Sequence, residues 1–164
     1  RLVFLVYIAL IHKYLISTVM EEKRCSAKTL TNRIKIKIRL SEVDSIKMAW
    51  HGSYVKYLED GREEFGREFG LEYMHMFNSG YVAPIVDMHL QYKQTVTIDD
   101  TIIVETTYVP NRAAKLVFDY KIYRESDMAL VLTARTIQLF MSHDGTFEVS
   151  NPEFFAKWKE RWGY

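Results

Sequence analysis

The chain has 164 residues, of which 48% are hydrophobic and 26% are charged, and its formal net charge is +1. This length fits one domain, which can bury roughly 70% of the surface that the unfolded chain exposes. The small net charge excludes the strongly basic face expected of a nucleic-acid-binding domain. Cys25 is the only cysteine, which excludes an intrachain disulfide and any zinc site with several thiolates, and favours a reducing, cytoplasmic setting.

The first 19 residues differ from the rest of the chain. Residues 2–11 are an unbroken apolar run, which is shorter than the about 20 residues needed to span a bilayer. No small-x-small cleavage pattern follows this run. The chain begins with Arg1 rather than Met, and we expect Met20 to be the natural start. Residues 1–19 are then a hydrophobic or non-native leader outside the fold, and residues 20–164 are a single domain; membrane attachment through the leader is the alternative.

The predicted elements begin with a strand over residues 34–40, where apolar and basic residues alternate. From residue 51 to about 69 the apolar period becomes helical, and Gly70 is placed to end this helix. Gly61 and Gly66 each cost a helix about 1 kcal/mol relative to Ala. Gly61 lies on the apolar stripe, which predicts close approach to a curved sheet, whereas the pattern gives no reason for Gly66.

Four further strands are predicted at residues 86–93, 101–109, 115–124 and 129–141. The last three should form an antiparallel meander, because short turn-prone segments separate them. The tail predicts an amphipathic helix with Asn151 as N-cap and Pro152 at its first position. The prediction is an α+β fold: an antiparallel sheet of about five strands wrapped around a long central helix.

The segment DSIKMAWHGSYVKYLEDGR, residues 44–62, resembles the signature of hotdog-fold acyl-CoA thioesterases of the 4-hydroxybenzoyl-CoA thioesterase type. In that signature an Asp is followed by a six-residue loop and then by His, Asn or Tyr at the start of the central helix, with an aromatic residue three positions later. The matching residues are Asp44, His51 and Tyr54. The chain departs from the family where Ile46 and Lys47 replace a common Gly pair. The resemblance implies the hotdog fold and a homodimer, often paired into a homotetramer.

Asp44 has two interpretations. Thioester cleavage requires a group that attacks the carbonyl or deprotonates water, and donors that stabilise the resulting oxyanion. Asp44 can be the nucleophile or the general base, and the free backbone N–H groups at the helix start near His51 can hold the oxyanion. Alternatively, Asp44 is a turn or capping acid and the His51 ring is a packed or capping residue. Trp50 is either core or pocket wall, and Tyr54 is a candidate substrate contact.

The segment PNRAAK, residues 110–115, resembles the family segment that helps to hold coenzyme A. Arg112 and Lys115 can meet its phosphates, although a solvated basic turn is the alternative. Four acids on the predicted helix are interpreted as part of its solvent-exposed face: Glu59, Asp60, Glu63 and Glu64.

The leading hypothesis is an acyl-CoA thioesterase that uses no metal or redox cofactor and binds no nucleic acid. The alternatives are a hotdog-fold hydroxyacyl-thioester dehydratase, disfavoured because its His-based motif is not seen, and a non-catalytic acyl-CoA or lipid-binding module.

Overall fold

The computed structural model describes residues 29–164. The predictions for residues 1–19 and for Met20 lie outside the described residues. In the described part of the chain the strands are β1 (Thr31–Lys37), β2 (Tyr81–Val82), β3 (Ile85–Tyr92), β4 (Thr101–Tyr108), β5 (Lys115–Arg124), β6 (Leu130–Leu139) and β7 (Met141–Ser142). The α-helices of the same residues are α1 (Ser53–Phe69), α2 (Tyr73–Asn78) and α3 (Glu153–Trp162), and a 3-10 turn covers Leu40–Glu42.

Five of these strands form an antiparallel sheet in the order β1-β4-β5-β6-β3, and helix α1 packs on it against β1 and β4. The predicted α+β fold with a sheet wrapped around one long helix is therefore confirmed. The meander of β4, β5 and β6 is confirmed as well, since consecutive strands pair antiparallel. Strands β2 and β7 pair separately as a small ribbon.

Strand β1 begins and ends three residues earlier than the alternating pattern predicted. The early start follows from pairing with β4, where Thr31 lies opposite Thr107 and Arg33 opposite Glu105. The two threonine hydroxyls are 2.9 Å apart and the Arg33 guanidinium donates to the Glu105 carboxylate at 2.7 Å. These partners are more than 70 residues away in sequence, so the local pattern could not reveal them.

Helix α1 buries the predicted apolar stripe and ends at Gly70, which adopts the left-handed conformation with φ of 83°. The predicted close approach at Gly61 is confirmed, because a Cβ at this position would lie 2.5 Å from Thr106 Oγ1 on β4. Gly66 is explained by the chain reversal after the helix, since a Cβ there would lie 2.6 Å from the carbonyl oxygen of Leu71. Both glycines let another part of the chain touch the helix backbone.

Several of the remaining elements differ from the sequence predictions. The strand predicted over residues 129–141 is divided into β6 and β7, and strand β2 was not predicted. Helix α2 was not predicted. Helix α3 begins at Glu153 with Pro152 as its N-cap, so the prediction of Asn151 as N-cap was wrong. The Asn151 side chain instead donates to the backbone oxygen of Arg112 at 3.4 Å and accepts from Lys159 at 3.1 Å.

The amphipathic helix predicted for the tail is present as α3, and it packs across the C-terminal end of helix α1. The indole N–H of Trp158 donates to the carbonyl oxygen of Phe69 at 2.7 Å, and that of Trp162 donates to the same oxygen at 3.2 Å. The Phe69 carbonyl lies at the C-terminus of helix α1, where no N–H of the helix can donate to it, and the two indole N–H groups donate instead. No helix within residues 29–164 is both long and apolar enough to cross a bilayer.

Candidate active site

The loop after β1 holds Asp44 in a tight, hydrogen-bonded turn. An isolated bridge pairs Val43 with Ala49, and the backbone N–H of Asp44 donates to the carbonyl of Met48 at 2.8 Å. One carboxylate oxygen, Oδ1, accepts from the backbone N–H groups of Ile46 at 3.0 Å and Met48 at 3.1 Å. The side chain is exposed, and none of the hydrogen bonds among residues 29–164 uses its second oxygen, Oδ2.

The geometry of Asp44 therefore matches the turn-acid interpretation and leaves room for the catalytic one. Oδ1 organises the loop, because carboxylates readily accept local backbone N–H groups in turns. Oδ2 remains available to a ligand. The loop backbone includes Lys47 at a φ of 65°, a left-handed conformation that is uncommon for a residue with a side chain.

The same loop is hydrogen-bonded directly to the start of helix α1. The backbone N–H of Trp50 donates to the carbonyl oxygen of Glu42 at 2.8 Å, and the hydroxyl of Ser53 donates to that oxygen at 3.0 Å. The N–H of Ala49 donates to the carbonyl of Val96 at 2.9 Å, which ties the loop to the connection between β3 and β4. The Asp44 turn and the helix start are therefore joined in one hydrogen-bonded unit.

Helix α1 begins without a side-chain cap. Its N-cap is Gly52, and the hydrogen bonds found among the described residues leave the backbone N–H groups of Gly52, Tyr54 and Val55 without an acceptor. Uncapped N–H groups at the positive end of the helix dipole favour an anion or a developing negative charge. The helix start thus offers donors of the kind that an oxyanion requires.

His51 and Trp50 flank this helix start at the surface. The two rings are 4.8 Å apart, and both residues are exposed. The backbone oxygen of His51 accepts from the hydroxyl of Tyr92 at 3.0 Å. The Trp50 ring lies over Gly52, where a Cβ would come within 2.0 Å of it. Glycine at position 52 therefore allows the indole to cover the backbone beside the free N–H groups.

Tyr54 lies in the core rather than on the surface of the site. It is 3% exposed, its ring packs edge-on against Tyr57 and Tyr92, and burial raises its pKa. The neighbouring Tyr57 donates its hydroxyl to the Glu42 carboxylate at 3.1 Å. Tyr54 thus supports the helix start from beneath.

Arg112 and Lys115 lie at the opposite end of the sheet from Asp44. Because β1 and β4 are antiparallel over seven residue pairs, the β4–β5 connection adjoins the first residue of β1, whereas the Asp44 loop follows its last. Seven residues of strand span about 23 Å. The structure does not bring Arg112 and Lys115 to Asp44 within one chain. In the described part of the chain neither side chain makes an ion pair.

Sequence reasoning missed Glu42, which connects the site to the core. Its carboxylate accepts from the backbone N–H of Arg39 at 2.8 Å and from the Tyr57 hydroxyl, while its carbonyl anchors Trp50 and Ser53. Position 42 falls between predicted elements, so periodicity gave no signal for it. Among residues 29–164 no cluster of three or more His, Cys, Asp or Glu side chains is placed to hold a metal ion.

The sequence profile of the thioesterase-like superfamily matches residues 38–159, a span that contains the Asp44 loop, the central helix and the whole meander. The chain belongs to this superfamily. Among curated relatives, it is 29% identical over 89 residues to YneP of Bacillus subtilis (strain 168), to which acyl-CoA thioesterase activity is ascribed. That match covers 54% of this chain and 64% of YneP, so the chain spans just under two thirds of the length of this relative.

Solved thioesterases share the fold of this superfamily member. The DHNA-CoA thioesterase of Staphylococcus aureus is 24% identical with a TM-score of 0.71, over 79% of this chain and 87% of that chain. A second structure is that of a 4-hydroxybenzoyl-CoA thioesterase with an Asp replaced by Asn, in complex with 4-hydroxybenzoyl-CoA. It is 20% identical with a TM-score of 0.70, over 79% of this chain and 98% of that chain. These likenesses confirm the hotdog fold that the resemblance implied.

Proposed function

We propose that the chain hydrolyses an acyl-CoA thioester to the free acid and coenzyme A, with Asp44 as nucleophile or general base and the helix start at His51 as the oxyanion site. The observation that carries this proposal is the joining of two groups in one hydrogen-bonded unit. A carboxylate with one free oxygen lies in a loop that is hydrogen-bonded to an uncapped helix N-terminus. Membership of the thioesterase-like superfamily supports the same chemistry.

The reaction can proceed in two ways from this arrangement. As a nucleophile, Asp44 Oδ2 attacks the carbonyl carbon, the thiolate of coenzyme A leaves and takes a proton, and water hydrolyses the resulting anhydride. As a general base, Asp44 removes a proton from a water molecule that attacks the same carbon, and the thiolate of coenzyme A then leaves and takes up that proton. In both, the carbonyl oxygen becomes negative and accepts hydrogen bonds from the helix start; one such donor is typically worth about 2.7–4 kcal/mol in the transition state.

Substrate contacts in this proposal come from both ends of the sheet. Trp50 flanks the helix start and can form a wall against the acyl group, while Tyr54 holds the helix start from the core. Arg112 and Lys115 can meet the phosphates of coenzyme A, since both charges are unpaired in the described chain. As the resemblance implies for a site at the subunit boundary, a second copy of the chain contributes to each site in this proposal.

A homo-oligomer, at least a dimer, therefore belongs to the proposal. The sheet ends in two edge strands, β1 and β3, whose outer backbone groups have no strand partner among the described residues. Natural proteins usually pair or cover such edges, and the resemblance implies that two sheets join into one. Analytical ultracentrifugation at micromolar concentration tests this, and an active monomer would contradict it.

Steady-state kinetics on a panel of acyl-CoA substrates, following release of free thiol, tests the activity itself. Asp44→Asn should abolish turnover with little change in KM, because a transition-state interaction is lost. Arg112→Ala should instead raise KM. Glu63→Gln is the control, because this acid lies on the exposed helix face and pairs with Arg67. If Asp44→Asn keeps a wild-type kcat while its circular dichroism melt is normal, the assignment of Asp44 is wrong.

A non-catalytic acyl-CoA-binding module is the second candidate, favoured by one specific observation. The Asp44 Oδ1 contacts are those of a turn acid and need no catalytic role to account for them. This candidate predicts that coenzyme A or acyl-CoA binds without thiol release for any acyl group in the panel. Calorimetry alongside the thiol assay separates the two functions.

A further inference from the structure

Helix α3 carries a buried lysine that no carboxylate accompanies. Lys159 is 6% exposed and makes no ion pair with any of the described residues. Its Nζ lies 4.5 Å from the centre of the Phe155 ring, a distance at which a cation is attracted to the aromatic face. Burial of an unpaired charge is costly unless hydrogen bonds compensate, so the lysine must have a specific set of partners.

Those partners are three oxygen atoms in and beside the β4–β5 connection. The Lys159 ammonium donates to the carbonyl of Asn111 at 2.8 Å, to the carbonyl of Ala113 at 3.2 Å and to Asn151 Oδ1 at 3.1 Å. An ammonium group has three donors, so every one of them is used. Desolvation lowers the pKa of Lys159, while the three acceptors favour its charged form.

The β4–β5 connection is held by these bonds and by others of its own. Asn111 closes the turn by donating to the carbonyls of Val109 at 3.2 Å and Lys115 at 3.3 Å. Asn151, itself held by Lys159, donates to the backbone oxygen of Arg112 at 3.4 Å. Lys159 therefore touches the backbone on both sides of Arg112, although its own charge points into the protein.

We propose that Lys159 is a positioning residue, which fixes the β4–β5 connection so that Arg112 and Lys115 present their charges to the phosphates of coenzyme A. The inference rests on the proposed function for the identity of the ligand. It adds a role for helix α3, which lies beyond the predicted binding residues in sequence and reaches them only through the fold. Because the connection is already ordered in the free protein, none of the binding free energy is lost in ordering it when the substrate binds.

The test compares Lys159→Met with Lys157→Met, a matched control on the same helix. Lys157 is exposed and pairs with Glu153. Two thioesters with the same acyl group serve as substrates, one on coenzyme A and one on N-acetylcysteamine, which has no phosphates. Calorimetry with coenzyme A measures binding independently of turnover.

We expect Lys159→Met to raise KM for acyl-CoA and Kd for coenzyme A about tenfold, since a disordered connection must be fixed on binding. The kcat and the rate with the N-acetylcysteamine thioester should change less than twofold. Lys159→Met combined with Arg112→Ala should raise Kd by less than the product of the two separate factors, because both changes act on the Arg112 contact. Lys157→Met should match the wild type throughout.

Three results would overturn the inference: an equal loss on both thioesters, a Kd for coenzyme A unchanged in a folded Lys159→Met variant, or independent effects in the double variant. If Lys159→Met does not fold, Asn151→Ala decides, and it must raise the same Kd by a smaller factor. A wild-type protein that binds coenzyme A without hydrolysing acyl-CoA would refute the thioesterase proposal and leave the role of Lys159 to be judged by Kd alone. A wild-type protein that does not bind coenzyme A refutes the role of Lys159.

Discussion

Gly66→Ala should destabilise the protein, although the same change stabilises an ordinary helix. Gly66 lies inside helix α1, where Ala is better than Gly by about 1 kcal/mol in propensity. An added Cβ would lie 2.6 Å from the carbonyl oxygen of Leu71 and 3.2 Å from the Cα of Glu72. Both are backbone atoms of the reversal that follows the helix, so no side-chain rotation relieves the overlap.

The magnitude follows from what must move. Ordinary contact begins at 3.4 Å, so the reversal has to retreat by about 0.8 Å. That movement strains two bonds to the Gly66 carbonyl, from the N–H of Gly70 at 2.8 Å and of Leu71 at 2.9 Å. Overpacking costs about 1–3 kcal/mol and each weakened hydrogen bond costs up to about 1 kcal/mol. After the propensity gain, we expect a net loss of about 2 kcal/mol in the free energy of unfolding.

Urea unfolding followed by circular dichroism measures this loss. With an m-value of about 2 kcal/mol/M, the midpoint should fall by about 1 M and the slope should stay unchanged. Lys56→Ala, an exposed change on the same helix, should stay within about 0.5 kcal/mol of the wild type. A Gly66→Ala midpoint equal to or above that of the wild type would refute the argument from the reversal.

Two further predictions concern a charge and a hydrogen bond. Desolvation, followed by the neighbouring carboxylates, raises the pKa of Asp60, so the ionised side chain destabilises the folded state. Asp60→Asn should therefore raise the urea midpoint at pH 7. This gain should disappear as the pH falls below about 3.8, where Asp60 is protonated in the unfolded state as well. A gain that persists there would contradict the charge argument. Trp158→Phe removes the buried hydrogen bond from the indole N–H to the carbonyl of Phe69 and should lower the free energy of unfolding by about 1–3 kcal/mol. Trp50 is 49% exposed, so Trp50→Phe should change the free energy of unfolding by less than about 0.5 kcal/mol. Equal effects of the two changes would count against the capping role of Trp158.

The sequence by itself determined the elements whose signals are local. A change of period from two to 3.6 distinguishes β1 from helix α1, and Gly70 marks the end of that helix with the left-handed residue that a helix end favours. Short polar connections fix the antiparallel order of β4, β5 and β6, because a hairpin leaves its strands few other neighbours. Gly61 could be explained in advance, since its place on the apolar stripe already implies a surface pressed against the helix.

Only the tertiary structure decided which distant residues meet. Gly66 owes its identity to a chain reversal that no period records, and the Lys159 ammonium reaches backbone atoms that lie 46 and 48 residues away in sequence. The register of β1 on β4 likewise places Arg112 at the end of the sheet opposite Asp44, although a linear motif search treats both as parts of one site. A local pattern specifies which face of a helix or strand is buried. Which other segment packs against that face depends on the packing of the whole chain, so these contacts can be identified only from the tertiary structure.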